Sequence, residues 1–190
     1  MSITPLRVHS HYSLLKALPQ LPDLIRRAKE YNYSSLALTD YNNMYGAIEF
    51  YKECKNVGIK PILGVETYIR DEEGQKYNLV LLAKNEPGYK SLMKIISLIS
   101  LESDEPALTD KILIKEAKDL IILSGGPWGD ISKLLIHNES RALDRVKFYQ
   151  SVVSEDDFYL EVTPHLFMDY GKEMRQKTID FAKKNKIKIG

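Results

Sequence analysis

Cysteine is almost absent from this chain, and so are the sequence features of membrane and secreted proteins. Cys54 is the only cysteine in 190 residues, so no internal disulfide can form. That usage fits a reducing cytosol and predicts a cytoplasmic protein. No apolar run approaches the ~18–20 residues that a membrane span needs. The N-terminus also has no basic stretch followed by an apolar segment, so neither secretion nor a membrane partner is expected.

Neither sign of charge dominates. The sequence has 27 Lys and Arg against 26 Asp and Glu, which gives a net charge of +1. This balance provides no electrostatic reason for the chain itself to bind nucleic acid. No repeat, low-complexity tract or linker interrupts it. The length suits one domain, residues 1–190, with a substantial core.

Short apolar runs alternate with amphipathic stretches along the chain. Predicted strands cover residues 6–10, 34–40, 60–69, 77–85, 120–124 and 158–163. Predicted helices cover 21–32, 44–58, 86–103, a short segment from 109, 130–154 and 167–185. This alternation is typical of α/β proteins with parallel strands, arranged as an open doubly wound sheet or as a closed barrel.

Two local patterns narrow the function classes. No G-x-G-x-x-G follows the first predicted strand, which argues against a dinucleotide-binding sheet. In SGGPWGD, after the strand at 120–124, a tight strand-to-helix turn is favoured over a phosphate cradle. Cys54 lies in a predicted helix, where a small packed residue is favoured over a reactive thiol.

Ionisable side chains gather at the ends of the predicted strands. They are His9, His11, Asp40, Glu66, Glu161 and His165. Residues i and i+2 of a strand point the same way, so His9 and His11 could bind one metal ion together. In a parallel barrel the C-terminal strand ends meet at one rim, where active sites lie. Histidine nitrogens and carboxylate oxygens bind zinc, manganese or iron, and clusters of such ions hydrolyse phosphate esters. Each residue also has a structural explanation: Asp40 as a helix cap, Glu66 as a lysine partner, His165 as a loop residue. The residues alone leave both possibilities open.

Four blocks occur in order at plausible spacing: RVHSHYSLL, LALTDYNNMYGAIEFYKECKNVGIKPILGVE, NLVLLAKNEPGYKSLMKIIS and LIILSGGPWGD. Together they resemble the N-terminal PHP (polymerase and histidinol phosphatase) domain of the alpha subunit of bacterial DNA polymerase III. The resemblance implies an α/β fold, a distorted (β/α)7 TIM-like barrel of the PHP type. In full-length subunits the palm, thumb and fingers follow it. The final KIKIG looks like a strand entering that barrel, so the barrel is expected to be incomplete at the C-terminus.

Members of this family with an intact site bind several metal ions, and some are phosphoesterases or proofreading exonucleases. By resemblance, His9 and His11 match the opening pair of ligands and Asp40 matches the aspartate of a TDH block. Glu66 matches the acidic ligand after the third strand, and His165 matches a later histidine. The family's last Asp-x-His pair would fall beyond residue 190.

Three positions depart from the family pattern. The histidine usual after Asp40 is Tyr41, the acidic residue usual after SLL is Lys16, and the histidine usual before LxLLAKN is Asn78. Tyrosine, with a pKa near 10, is a poor ligand at neutral pH. Lys16 repels cations by its charge. The resemblance therefore predicts a vestigial site that holds no metal, or zinc or manganese only weakly. The position of Asn78 at the start of its predicted strand, instead of at the rim, stays unexplained.

The leading hypothesis is an inactive PHP domain that acts as a scaffold for the core of a DNA-directed DNA polymerase and for a proofreading exonuclease. Nucleotidyl transfer, magnesium and DNA contact would belong to the rest of that subunit. The second hypothesis is a metal-dependent phosphoesterase or 3′–5′ exonuclease with a reduced site at His9, His11, Glu66 and His165. A free-standing PHP protein ranks last, because the blocks after residue 30 look more like the polymerase.

Overall fold

A computed structural model describes the backbone of residues 3–102, 106–163 and 169–190. The strands are β1 (Ser35–Leu38), β2 (Lys60–Arg70), β3 (Lys76–Ala83), β4 (Leu120–Leu123) and β5 (Phe158–Tyr159). The helices are α1 (Leu21–Glu30), α2 (Ala47–Val57), α3 (Glu86–Glu102), α4 (Asp110–Glu116), α5 (Asp130–His137), α6 (Glu139–Val152) and α7 (Asp169–Asn185). Within these ranges no helix is long and apolar enough to cross a membrane. The mixed α/β class is confirmed.

The strands form one five-stranded sheet in the order β1-β2-β3-β4-β5. β1 pairs with β2, and β4 with β5, in parallel. β3 is antiparallel to both of its neighbours. The prediction that all the strands run parallel is therefore wrong for β3.

The turn RDEEGQK explains the reversal at β3, because it is too short for a crossover and closes a hairpin. Asp71 Oδ1 accepts hydrogen bonds from the backbone amides of Glu73 and Gln75 at 3.0 and 2.8 Å. Gly74 takes the left-handed conformation, with φ +84°. Because β3 runs backwards, its first residues lie beside the last residues of β2, and Asn78 pairs with Tyr68. The start of this strand is thus at the same end of the sheet as the predicted rim.

Two extended segments flank the sheet. The predicted strand at 6–10 is wrong as a strand, but the segment runs along β1: the Ala37 amide donates to the Pro5 carbonyl and the Thr39 amide to the Val8 carbonyl. At the other side, Leu160 and Ile189 form a parallel bridge, as the KIKIG pattern predicts. The sheet with these two segments is compatible with a PHP-type barrel.

Two other boundaries differ from the prediction. The helix expected over 130–154 is two helices, because Asn138 leaves the helical conformation with φ −156° and its side chain caps α6 through the Arg141 amide at 3.0 Å. The strand expected over 158–163 is paired regularly only at Phe158–Tyr159.

The glycine-rich SGGPWGD segment is a tight turn. A Cβ on Gly125, which has φ +77°, would lie 2.0 Å from the Asn78 carbonyl oxygen, and one on Gly129 would lie 1.7 Å from that of Ser124. Close approach of backbone to backbone therefore requires these glycines. The turn presses directly against the start of β3.

The sheet has an apolar outer face and a partly polar inner face. The outer face packs on α3 to α6 in the main core, and α1 and α2 form a second cluster around Phe50, with Cys54 fully buried beside it. Burial raises the pKa of the Cys54 thiol to about 12, as expected for a packed residue and not for a nucleophile. On the inner face, Val80 and Leu82 are buried, and Glu66 pairs with Val80. Since side chains alternate along a strand, Asn78 shares that face.

Candidate functional site

Glu66 is the centre of a group of polar side chains on the inner face of the sheet. Its side chain is fully buried. Arg7 donates from Nε to Glu66 Oε2 at 2.7 Å and from Nη2 to Oε1 at 2.5 Å. His9 Nε2 lies 2.8 Å from Oε2, and Asn78 Nδ2 donates to Oε1 at 2.5 Å. Protein donors therefore occupy both carboxylate oxygens.

Arg7 joins this carboxylate to a second one. Its Nη1 donates to Glu161 Oε1 at 2.8 Å, and its guanidinium carbon lies 5.7 Å from the centre of the Trp128 ring. Burial alone would lower the pKa of Arg7, but the hydrogen bonds and charges of Glu66 and Glu161 raise it well above its ordinary value. A permanent positive charge thus lies between two carboxylates.

The same contacts determine the ionisation of Glu66 and the position of the hydrogen on the His9 ring. Burial would raise the pKa of Glu66, but the hydrogen bonds from His9 and Arg7 and the charge of Arg7 lower it to about 2. An ionised carboxylate only accepts hydrogen bonds, so His9 Nε2 carries the hydrogen that points at Glu66. A ring nitrogen that carries a hydrogen has no lone pair for a metal ion.

Arg7 is the functional residue that sequence reasoning missed. The prediction paired His9 with His11 as side chains two positions apart on a strand. The structure instead places Arg7 and His9, also two positions apart, on Glu66. The extended segment ends at Ser10 and the chain turns from residue 11, so the alternation does not reach His11. If the strand alternation is counted from Arg7 instead of from His9, it pairs Arg7 with His9.

Among the described residues, the predicted ligand His11 makes no hydrogen bond to this group. The His11 ring packs at 4.2 Å from that of Tyr12, and its Nδ1 is buried without a hydrogen-bond partner among the described residues. His165 falls in 164–168, outside the described ranges. Of the predicted residues within the described ranges, His9 and Glu66 contact each other, and Arg7 links Glu161 to Glu66.

Asp40 is buried and fixes the turn that carries His11. Its Oδ1 accepts from the Ser10 amide at 2.7 Å and from Ser13 Oγ at 2.5 Å, and its Oδ2 accepts from Ser10 Oγ at 2.7 Å. Its exposed fraction is 1%. Asp40 therefore anchors the loop at residues 10–13 through hydrogen bonds. This is a structural role, as was the helix cap considered from the sequence.

We expect Asp40→Asn to lower the free energy of unfolding by about 2 kcal/mol, because a neutral amide cannot accept all three hydrogen bonds. Chemical denaturation of the two proteins measures this difference. Asp23→Asn, on the exposed surface of α1, is the matched control and should leave the denaturation midpoint unchanged. Equal midpoints for Asp40→Asn and the wild type would contradict the anchor role.

The three positions that depart from the family pattern lie together beside His9. The Tyr41 ring stacks on the His9 ring at 4.7 Å, and its hydroxyl accepts a hydrogen bond from Asn78 Nδ2 at 3.2 Å. Lys16 Nζ lies 3.6 Å from the centre of the Tyr41 ring and donates to the Tyr68 hydroxyl at 2.7 Å. Burial and then the Glu66 carboxylate raise the pKa of Tyr41 to about 12, so it stays a neutral phenol. The substitutions form one connected cluster.

The residues present do not fit a cluster of metal ions. Among the described residues, no group of three or more His, Cys, Asp or Glu side chains is arranged to hold a metal. Arg7 places its own charge between Glu66 and Glu161, and Lys16 adds a second charge nearby. Both oxygens of Glu66, and Oε1 of Glu161, are already paired with cations and N–H groups of the protein.

Comparisons with known proteins agree with this architecture. The chain is 41% identical over 177 residues to the DNA polymerase III subunit alpha of Borreliella burgdorferi, covering 86% of this chain and 15% of that protein. It is 36% identical over 195 residues to the Treponema pallidum subunit, covering 96% and 17%. The chain thus spans less than a fifth of the length of these relatives.

A solved structure has a similar fold at low identity. It is a two-domain protein from Bacteroides vulgatus that contains a predicted PHP-like metal-dependent phosphoesterase. The match has a TM-score of 0.60 at 14% identity and covers 98% of this chain and 49% of that one. The PHP domain family profile matches residues 5–165, which is most of the sequence. This chain belongs to the PHP domain family.

Proposed function

We propose that this chain is the PHP domain of a bacterial replicative DNA polymerase alpha subunit, and that its own phosphoester site is inactive. The observation that carries the second part is Arg7, whose guanidinium binds both Glu66 and Glu161. By the resemblance, an active site of this family would bind metal through the acidic residue at the position of Glu66. Here an internal cation, Arg7, supports Glu66 together with Glu161.

A guanidinium replaces the structural effect of a metal ion but not its chemistry. It neutralises carboxylates and holds them through directed N–H donors. It does not lower the pKa of a bound water, which is the step by which a metal ion generates hydroxide. With the pKa of Arg7 raised, it also cannot act as a general base. The fold is thereby kept while hydrolysis is lost.

A domain with a closed site still serves as a scaffold. The relatives are polymerase subunits several times longer than this chain, which supports a role in carrying the polymerase core. Nucleotidyl transfer, magnesium and DNA binding belong in this proposal to that core. The net charge of +1 is consistent with a domain that makes few DNA contacts of its own. A separate proofreading exonuclease is the second proposed partner, since an inactive PHP site cannot proofread.

Elemental analysis of protein purified without chelator tests the inactive site. We expect zinc and manganese well below one ion per chain. We also expect hydrolysis of a generic phosphate ester, assayed with added Mn²⁺, to equal the rate of His9→Ala. The His9→Ala control identifies any activity that comes from a contaminant.

The competing function is a metal-dependent phosphoesterase or exonuclease with a reduced site. It is favoured by the likeness of the fold to the structure that contains a predicted PHP-like metal-dependent phosphoesterase. Stoichiometric metal, together with hydrolysis that His9→Ala abolishes, would establish it and overturn the inactive site. Binding of the exonuclease subunit would then need its own measurement.

A further inference from the structure

A small cavity lies next to Glu161, the second carboxylate that Arg7 contacts. Glu161, Thr163 and Ser132 are among the residues that line it. Its free volume is about 20 Å³, which is room for one water-sized sphere. The rest of the lining includes the apolar side chains of Pro127, Val162 and Met174, and Arg175.

Two of these oxygens are buried and unpaired. Glu161 is 8% exposed, and its Oε1 accepts from Arg7 while its Oε2 has no hydrogen-bond donor among the described residues. Thr163 Oγ1 is also buried without a partner there. A buried carboxylate oxygen without a donor is costly, so this arrangement calls for a bound group that is positive or donates hydrogen.

The charges of the group favour a cation. The two carboxylates of Glu66 and Glu161 share the single guanidinium of Arg7. Lys16 lies on the tyrosine rings and makes no ion pair with either carboxylate in the part of the chain described. Arg175 lines the cavity, but its side chain is exposed and it has no ion pair with Glu161 within the same ranges. One negative charge is therefore left over next to the cavity.

We propose that this cavity binds one monovalent cation of about the size of potassium, held by Glu161 Oε2 and Thr163 Oγ1, with the Ser132 hydroxyl as a further oxygen. Oxygen donors suit hard cations. A divalent ion would need several carboxylates, whereas the cavity offers one free carboxylate oxygen and neutral hydroxyls. Potassium and ammonium have nearly the radius of water and match the space.

Thermal unfolding in a series of chloride salts at constant ionic strength tests this site. Potassium or ammonium, replacing tetramethylammonium, should raise the Tm saturably by about 2–4 °C. Thr163→Val removes the hydroxyl, keeps the side-chain shape and does not touch Arg7, so it should abolish the potassium-specific rise. Ser151→Ala, an exposed hydroxyl bonded to its own helix, should retain the full rise.

Two results would overturn the assignment. An equal Tm in potassium and tetramethylammonium would mean that the cavity holds only water. A potassium-specific rise that survives unchanged in Thr163→Val and in Glu161→Gln would place the ion elsewhere. Both tests are independent of phosphoester hydrolysis and of the polymerase partner.

Discussion

Arg7→Ala is expected to lower the free energy of unfolding by about 3–5 kcal/mol, which is the cost of leaving a buried charge without its partner. The Arg7 side chain is 15% exposed and Glu66 is fully buried, so solvent cannot replace the guanidinium. Urea denaturation at neutral pH measures the loss. Arg26→Ala is the matched control, because Arg26 also contacts two carboxylates but on the exposed face of α1. It should leave the denaturation midpoint unchanged.

A double-mutant cycle separates the charge from the packing of Arg7. Arg7→Met keeps much of the side-chain volume, and Glu66→Gln removes one of the two charges. If the ion pair is the cause, Arg7→Met should cost markedly less in the Glu66→Gln background than in the wild type. Equal costs in both backgrounds would show that the charges of Arg7 and Glu66 are not coupled, and the account of one internal cation shared by both carboxylates would fail.

The position of Arg7 also shows how far sequence reasoning reaches. The candidate region was predictable, since His9 and Glu66 meet as expected. His9 and His11 do not contact the same group: His9 contacts Glu66, whereas His11 packs on Tyr12. The prediction had extended the strand alternation into a turn. That turn is built by hydrogen bonds from residues 10 and 13 to Asp40, about thirty positions away in sequence. Local periodicity contains no information about such a distant anchor.

The orientation of β3 is a second case. The strand and the turn before it were predictable, but the parallel pattern of α/β proteins was applied to all strands. A short polar turn between two strands indicates a hairpin, and this local signal should have outweighed the general one. Once β3 is reversed, the place of Asn78 needs no special explanation. It lies at the same end as Glu66 and donates to it.

The three departures from the family pattern are explained by the contacts that they make with one another. Taken singly, Tyr41, Asn78 and Lys16 are three unrelated departures from the family pattern. In the structure, Asn78 donates to both Glu66 and Tyr41, and Lys16 lies on the Tyr41 ring. The three substitutions therefore form one connected set of contacts around Glu66 and His9. Changing one of them alone would break contacts that it makes with the others.

Acid should destabilise the protein through Glu66. The folded-state pKa of Glu66 is about 2, against 4.5 for the free side chain. A lowered pKa of an acid stabilises the fold above the unfolded-state value, and this stabilisation is lost as the pH falls through that value toward the folded-state pKa. The shift corresponds to about 3 kcal/mol at neutral pH, of which about 2 kcal/mol should be lost by pH 3.

The measurement is the difference in free energy of unfolding between the wild type and Glu66→Gln, followed from pH 7 to pH 3. Because glutamine does not titrate, the difference should narrow by that amount as the pH falls, whatever other carboxylates contribute to both proteins. Glu72→Gln, an exposed carboxylate in the turn between β2 and β3, is the control, and its difference from the wild type should stay nearly constant. A Glu66→Gln difference that is independent of pH would mean that the pKa of Glu66 is the same in the folded and the unfolded protein. Arg7 and His9 would then not stabilise the charge of Glu66, and the large effect expected for Arg7→Ala would have to come from the contact with Glu161 alone.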